Sequence, residues 1–462
     1  MFLNIDKKDR ISTAVIDDNG IEISYGDLCD FSNKFKSVIP NRTLIFILSE
    51  NVLGSFLGYI ATLSNEIVPL MLSCHIDREL LKSLMEIYKP AYMWIPQRIV
   101  FEFGLAEIYN CYDYSLIETG FDTFPLFEEL SLLLSTSGST GSPKLVRHSY
   151  KNIEANAQNV ATFFEITKDD RALAILPMHY TMGLSVISSH LYAGATILLT
   201  NKSLMDMSLW PFIINKKATS FTGVPYSYEI LYKLRFFKMN LPDLKIITQG
   251  GGKLSPELFQ TCAEYAKSTG KKFIATYGQT EGTARMAYLP PEMATLKTGS
   301  IGKAIPNGEL SIIDDDGNVV KGNDVTGQMV YKGSNVTLGY AICGEDLIKG
   351  DENEGVLYTG DIVRRDSDGF YYIIGRMRRF LKIFGLRVGL DEIEYWIKTK
   401  FAVNCLCKGR DELLNIIVVS DKKININEIK EYVIEKTGLF HKAIEISVVD
   451  EIERNEAGKI IF

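Results

Sequence analysis

The residues with the most evident chemical potential lie at 132–144, in the run LLLSTSGSTGSPK. An apolar stretch, 130–134, ends abruptly in small residues, followed by Pro143 and Lys144. Small residues such as Gly138 and Gly141 let backbone N–H groups, with the hydroxyls of Thr136, Ser137, Ser139 and Thr140, wrap an anion closely. Lys144 adds a positive charge suited to a polyphosphate. The spacing is not that of a Walker A loop, which needs Gly-Lys-Ser/Thr opening a helix; here Pro143 precedes the lysine and Leu145 follows it. The plain alternative is a flexible Ser/Gly surface loop.

Other short runs accompany this one. The stretch 135–144 resembles the phosphate-loop signature of the adenylate-forming superfamily, which includes acyl- and aryl-CoA synthetases, luciferases and peptide-synthetase adenylation domains. Tyr277-Gly278-Gln279-Thr280-Glu281 resembles the second signature of that superfamily. Gly250-Gly251-Gly252 precedes it where the family places its adenine-contacting backbone. Tyr358-Thr359-Gly360-Asp361 resembles the third, and Gly375-Arg376 the start of the hinge segment, continued by Gly385 and Glu392-Ile393-Glu394. Gly458-Lys459 is similar to the C-terminal catalytic-lysine signature. Six elements in the family's order extend from Ser135 to Lys459, most of the chain.

The resemblance implies ATP and Mg²⁺ as cofactors, with a carboxylic acid attacking the α-phosphate. That step brings anion against anion, so the site must screen charge and align the reactants. Thr280 and Glu281 offer hard oxygen ligands for Mg²⁺, although a lone YGxTE is more often a turn after a strand. Tyr277 offers a flat face for adenine, and Gly278 and Gln279 complete that nucleotide-lining stretch; an isolated tyrosine is usually packing. Asp361, on a TGD turn, is expected to accept both ribose hydroxyl protons, whereas an Asp at such a turn is commonly structural. Arg376 would reach ribose or phosphate. Lys459 stands three residues from the end, where a tail is by default frayed. By resemblance it bridges carboxylate and α-phosphate during adenylation, then leaves as the C-terminal domain rotates. Two departures from the family pattern are Leu145 in place of glycine after the loop lysine, and Arg378 where Asp or Lys is usual at the hinge.

The acid itself is less specified. Pro177-Met178-His179-Tyr180-Thr181-Met182-Gly183-Leu184 resembles the segment that supplies a histidine beside the acid pocket in acyl- and aryl-activating members, so His179 is the expected counterpart. Amino-acid-activating members place an Asp nearby to hold the substrate ammonium. No acidic residue lies between Asp170 and Asp206, which favours an uncharged acyl or aryl tail. The segment 221–226 would form the opposite wall. CoA is the favoured thiol acceptor. The alternative is loading of the acid, or an amino acid, onto the phosphopantetheine of a separate acyl carrier protein, and Lys382-Ile383-Phe384-Gly385-Leu386-Arg387 has the flavour of such enzymes. A phosphotransferase would not need Lys459, and a silent nucleotide-binding relative would be expected to lose Glu281, Asp361 or Lys459.

These residues must be carried by a sizeable scaffold, and 462 residues suffice for two or more domains. Apolar runs at 44–48 and 67–72 read as strands around a helical 52–63, and the rhythm returns at 173–176, 196–199, 218–222, 245–248 and 273–276. This alternation argues an α/β fold of mainly parallel sheets covered by helices. After about Thr298 short strands separated by turns such as Asp315-Asp316-Gly317-Asn318 read as a β-rich subdomain. A last unit of helix 391–399, strand 414–419, helix 427–436 and strand 443–449 reads as a small mobile α+β domain. The expected division is an N-terminal domain at 1–375 and a C-terminal domain at 376–462, hinged near 376–379.

Composition excludes several classes. The net charge of −7 comes with scattered basic residues, which speaks against nucleic-acid binding. The charge-free run 172–201 is broken by Pro177, His179, Gly183, His190 and Gly194, so a buried strand, loop and core helix fit better than a membrane span. The N-terminus lacks a signal-peptide core. Seven cysteines and five histidines show no metal or redox spacing, as expected of core thiols in a reducing cytoplasm.

Overall fold

A computed structural model describes residues 1–135, 144–377, 379–383, 386–410, 412–420, 424–452, 454 and 456. Thr136, Ser137, Gly138, Ser139, Thr140, Gly141 and Lys459 lie outside the described residues. The chain divides into two compact units, one of 1–309 with 331–357 and one of 310–330 with 358–462.

The first unit is built on two large sheets. Leu44–Ser49 and Val68–Ser73 are almost wholly buried, the continuous apolar pattern of strands covered on both faces. They pair in parallel, and Leu130–Ser135 joins the same run in parallel with Val68–Ser73. Leu145–Ser149 then turns back antiparallel, and Gly339–Ala341 closes that edge of the eight-stranded sheet. The nine-stranded sheet places Thr13–Asp17, Thr196–Leu199, Arg171–Ala174, Ser220–Gly223, Ile246–Gln249 and Lys272–Tyr277 side by side in parallel. The α/β organisation read from the alternating runs is present.

Helices Leu53–Ser64, Tyr150–Phe164 and Thr181–Ala193 contribute side chains to one core together with strands of both sheets, through Tyr59, Ile153, Ala157, Leu184 and Leu191. This explains the charge-free run. Thr181–Ala193 is buried from Thr181 to Leu191, so a charge at almost any position would be desolvated. Its one titratable imidazole, His190, is tied to Val186 O and Ser220 Oγ, and burial holds it down at about 4, hence neutral. Among the described residues no helix is long and apolar enough to cross a membrane.

The second unit contains a four-stranded sheet ordered Gly308–Ile313, Val325–Gly333, Val356–Arg365, Tyr371–Arg376. It also holds a three-stranded sheet of Asn404–Arg410, Leu413–Val419 and Ile444–Val449. Helices Leu390–Phe401 and Ile426–Thr437 bury Ile393, Ile397, Ile429 and Val433 in the same core as that sheet. Cys405 and Cys407 sit two apart on one strand.

A single arginine ties distant parts of the first unit together. Arg147, fully buried in Leu145–Ser149, donates to the carbonyls of Tyr340, Lys349, Leu338 and Gly350, and to Glu352 at 2.6 Å. Leu338 N returns a bond to Arg147 O at 2.9 Å. Leu145, the departure from the family pattern, starts this strand and is buried in the core. Removing the arginine from such a network leaves buried carbonyls short of their donor. Arg147→Leu is therefore expected to destabilise by about 1–3 kcal/mol for each buried carbonyl left unsatisfied, read as a lower denaturation midpoint; an unchanged midpoint would show that the clamp is dispensable.

Candidate active site

Strand Lys272–Tyr277 delivers the second motif into a strained turn. Thr280–Gly282 is a single 3₁₀ turn, and Thr283 and Ala284 follow with φ of 50° and 77°. Two consecutive non-glycine residues in the left-handed region cost energy that the surroundings must offset. Asn335 does much of this. Its Nδ2 donates to Gly282 O at 2.7 Å and Arg285 O at 3.2 Å, and its carbonyl accepts from Thr283 Oγ1 at 2.7 Å. Asn156 Nδ2 adds a bond to Arg285 O at 2.9 Å. Gly278 is required here, since a Cβ would lie 1.5 Å from Ala284 O.

The turn presents Glu281 to Tyr340, whose hydroxyl donates to Glu281 Oε1 at 2.7 Å. Thr337 N holds the Glu281 carbonyl at 3.0 Å. Lys144, the last residue of the first motif, places its Nζ 3.3 Å from the centroid of the Tyr340 ring. One tyrosine thus has a cation on its face and a carboxylate at its hydroxyl, both favourable for the ring and its polar tip. The Thr280 hydroxyl and the Glu281 carboxylate form a donor set that fits a hard divalent cation. A separate trio, Glu50, Cys74 and His75, brings ligand atoms within 4.8 Å of one another. There Glu50 is engaged by both ends of the Arg98 guanidinium, at 2.7 and 2.8 Å.

The glycine run and the histidine segment are also brought together. Gly250, Gly251 and Gly252 follow strand Ile246–Gln249, and Gly251 has φ of 77°. A Cβ at Gly251 would lie 2.6 Å from the Tyr180 hydroxyl, and one at Gly250 2.9 Å from Met182 Sδ and 2.7 Å from Thr276 Oγ1. Tyr180 and Met182 open helix Thr181–Ala193, so these glycines allow the strand end to approach it closely. His179 occupies the turn just before that helix, half-buried. Asn51 anchors the approach, donating to the carbonyls of Ala174 and Leu176 and accepting from Met178 N. Tyr277 ends its strand half-buried, with Gln279 Nε2 donating to its hydroxyl at 3.0 Å.

In the second unit, Asp361 is buried on strand Val356–Arg365 and faces Arg376 across the sheet register. Arg376 Nε donates to Asp361 Oδ1 at 2.9 Å, while the arginine side chain remains 59% exposed. The two residues expected at the ribose are thus paired with each other. Met377 N bonds back to Gly360 O at 2.8 Å. Two residues later the attachments change: Arg379 pairs with Asp391 at 2.7 Å and Glu394 at 2.6 Å and donates to Cys407 O at 2.9 Å.

Sequence reasoning missed Tyr340, Asn335, Asn156 and Arg285. The first three carry no local signal, because their partners lie 59, 53 and 129 positions away. Arg285 had one: a charge between Ala284 and the apolar Met286-Ala287.

Comparison with known proteins places this site in context. Residues 123–341 match the family model described as AMP-binding enzyme. Among curated relatives, the oxalate–CoA ligase of Arabidopsis thaliana is 26% identical over 71% of this chain and 66% of its own. The 2-succinylbenzoate–CoA ligase of Oceanobacillus iheyensis is 28% identical over 72% of this chain and 69% of its own. The matches span between half and two thirds of the first relatives' length. The Bacillus subtilis O-succinylbenzoate coenzyme A synthetase, solved in complex with ATP and magnesium ion, shares the fold. Its TM-score is 0.74 at 20% identity, covering 97% of this chain and 95% of that one.

The Tyr340 arrangement is open to test by calorimetric titration with Mg-ATP. Tyr340→Phe keeps the ring beneath Lys144 and removes the bond to Glu281, so binding is expected to weaken about tenfold, the worth of a hydrogen bond to a charged group. Tyr340→Leu should weaken it further. Wild-type affinity in Tyr340→Phe would show that Glu281 needs no such partner.

Proposed function

From the premise that this chain belongs to the adenylate-forming superfamily of AMP-binding enzymes, we propose that it is an AMP-forming acid–thiol ligase. In the first step a carboxylate oxygen of the acid attacks the α-phosphorus of ATP; the acyl–phosphate bond forms, the α–β phosphoanhydride breaks and pyrophosphate departs. In the second, a thiol sulfur attacks the acyl carbon, the thioester forms, AMP leaves with the mixed-anhydride oxygen, and the thiol proton is released. The observation that carries this reading is the gathering of Lys144 and Glu281 on Tyr340, beside the strained Thr280 turn.

Lys144, with the loop Thr136, Ser137, Gly138, Ser139, Thr140 and Gly141, would hold the β- and γ-phosphates. Thr280 and Glu281 would hold Mg²⁺, which when bound neutralises phosphate charge against the incoming carboxylate. Gly250, Gly251, Gly252, Tyr277, Gly278 and Gln279 would accommodate adenine, with Asp361 and Arg376 on the ribose side. His179, at the start of the buried helix, would stand beside the acid carboxylate. Lys459 would stabilise charge between that carboxylate and the α-phosphate.

A hinge near 376–379 is supported by where the backbone is tied. Met377 is bonded to Gly360, and Arg379 to the helix and sheet of the C-terminal α+β region. The attachments change within two residues, and rotation there would withdraw Lys459 after the first step. The names of the curated relatives favour CoA as the acceptor; a separate carrier protein is the alternative arm of the test.

Acid-dependent exchange of labelled pyrophosphate into ATP, across a panel of carboxylic and amino acids, tests adenylation and ranks the acids. Exchange with no acid despite ATP binding would count against the ligase reading. Lys459→Ala is expected to abolish exchange while sparing thioester formation from preformed acyl-AMP. Equal loss of both half-reactions would remove the role given to that lysine.

A further inference from the structure

Arg285 is one of the largest fully buried side chains, 1% exposed, and among the described residues no carboxylate pairs with it. Its environment is nonetheless ordered. Nη1 donates to Ser185 Oγ at 2.6 Å; Ser185 donates to Asn156 Oδ1 at 3.2 Å; Asn156 Nδ2 returns to the Arg285 carbonyl at 2.9 Å. This closed circuit fixes the guanidinium. Phe164 covers the group at 5.2 Å from the ring centroid. What remains is the other edge: Nε and Nη2 make no hydrogen bond among the described residues. Those two nitrogens form the side-on pair of parallel N–H groups that matches the two oxygens of a carboxylate.

An unpaired buried cation is costly and is retained where something offsets it. Burial lowers Arg285 only to about 10, so it stays charged at neutral pH. The position suits a substrate group. Ser185 and Asn156 also line a small cavity with Thr181, Ser188, Thr283 and His148. His148 is fully buried, held neutral by burial, and its Nε2 makes no hydrogen bond. Tyr180, within electrostatic reach of the guanidinium, lies against Gly251. Through Ser185 and Asn156, Arg285 thus adjoins a small cavity that mixes these polar groups with apolar side chains such as Leu184 and Ile153, and through Tyr180 it neighbours the glycine run assigned to the nucleotide.

We propose that the Nε–Nη2 edge of Arg285 receives a second carboxylate on the acid substrate, making this a ligase for dicarboxylic acids. The inference rests on the ligase reading above and narrows its substrate class. The absence of acidic residues at 171–205 speaks only against a substrate ammonium; Arg285 distinguishes an anionic tail from an uncharged one.

The test is calorimetric binding of short and medium n-alkanoates and the α,ω-diacids of the same lengths, in the presence of ATP, to the full chain and to Arg285→Met and Arg285→Lys. The parent is expected to prefer a diacid, with that preference falling about ten- to hundredfold in Arg285→Met, the worth of a charge-assisted bidentate contact. Arg285→Lys should fall between. No diacid binding, or the same preference in Arg285→Met, overturns the proposal. Thermal melting provides a second check. Removing an unpaired buried charge should leave the melting temperature equal or higher, whereas a marked fall would identify a structural arginine and overturn it. Pyrophosphate exchange with the same acids separates the two claims: diacid binding lost in Arg285→Met, without exchange from any acid, would sink adenylation and leave the Arg285 site standing.

Discussion

The hydrogen bonds of one buried guanidinium set the geometry around Tyr340. Arg147 lies on the strand immediately after Lys144, yet its donors are spent on carbonyls some two hundred residues later in the chain. Together with Leu338 N on Arg147 O and Glu352 N on Leu338 O, these bonds draw the 338–352 segment onto the strand. The consequence reaches the candidate site, because Tyr340 is carried on that segment. Once the edge strand Gly339–Ala341 is in register with Leu145–Ser149, Tyr340 stands between Lys144 and Glu281.

The same fold contains a second buried arginine used in the opposite way. Arg147 has its donors satisfied and an acidic partner at 2.6 Å. Arg285 is held along one edge and left open along the other. A protein interior does not tolerate an unpaired charge without cause, and the contrast separates an arginine that builds the scaffold from one that awaits a partner. The strain at Thr283 and Ala284 belongs to the same region. Asn335 and Asn156 hold the backbone there, and the result is a turn that aims Thr280 and Glu281 outward while Arg285 points into the core.

The second unit follows a different logic. Its sheets and helices make their own core, and Asp361 is buried with Arg376 as its cross-strand partner. An aspartate held this way is oriented, with its Oδ1 committed to the arginine. Met377 N bonds to Gly360 O, whereas the Arg379 side chain pairs with Asp391 and Glu394.

Local pattern alone carried a good deal. Strand and helix rhythm identified the α/β architecture, because burial on both faces demands continuous apolar runs and the crossover between parallel strands demands a helix. The breaks at Pro177 and Gly194 distinguished a core helix from a membrane span. Lys144, Thr280, Glu281 and Asp361 were singled out in sequence by the short motifs that contain them. Tertiary structure alone decided which of them meet. Tyr340 and Asn335 are ordinary residues until sheet pairing brings them to Glu281 and Gly282, contacts that span more than fifty positions. Arg285 reads from sequence as one charge in an apolar stretch; only the packed interior shows that it is buried, half-bonded and without an acidic partner. Composition and spacing report what a segment prefers, whereas the environment of a side chain is created by the rest of the chain folding around it.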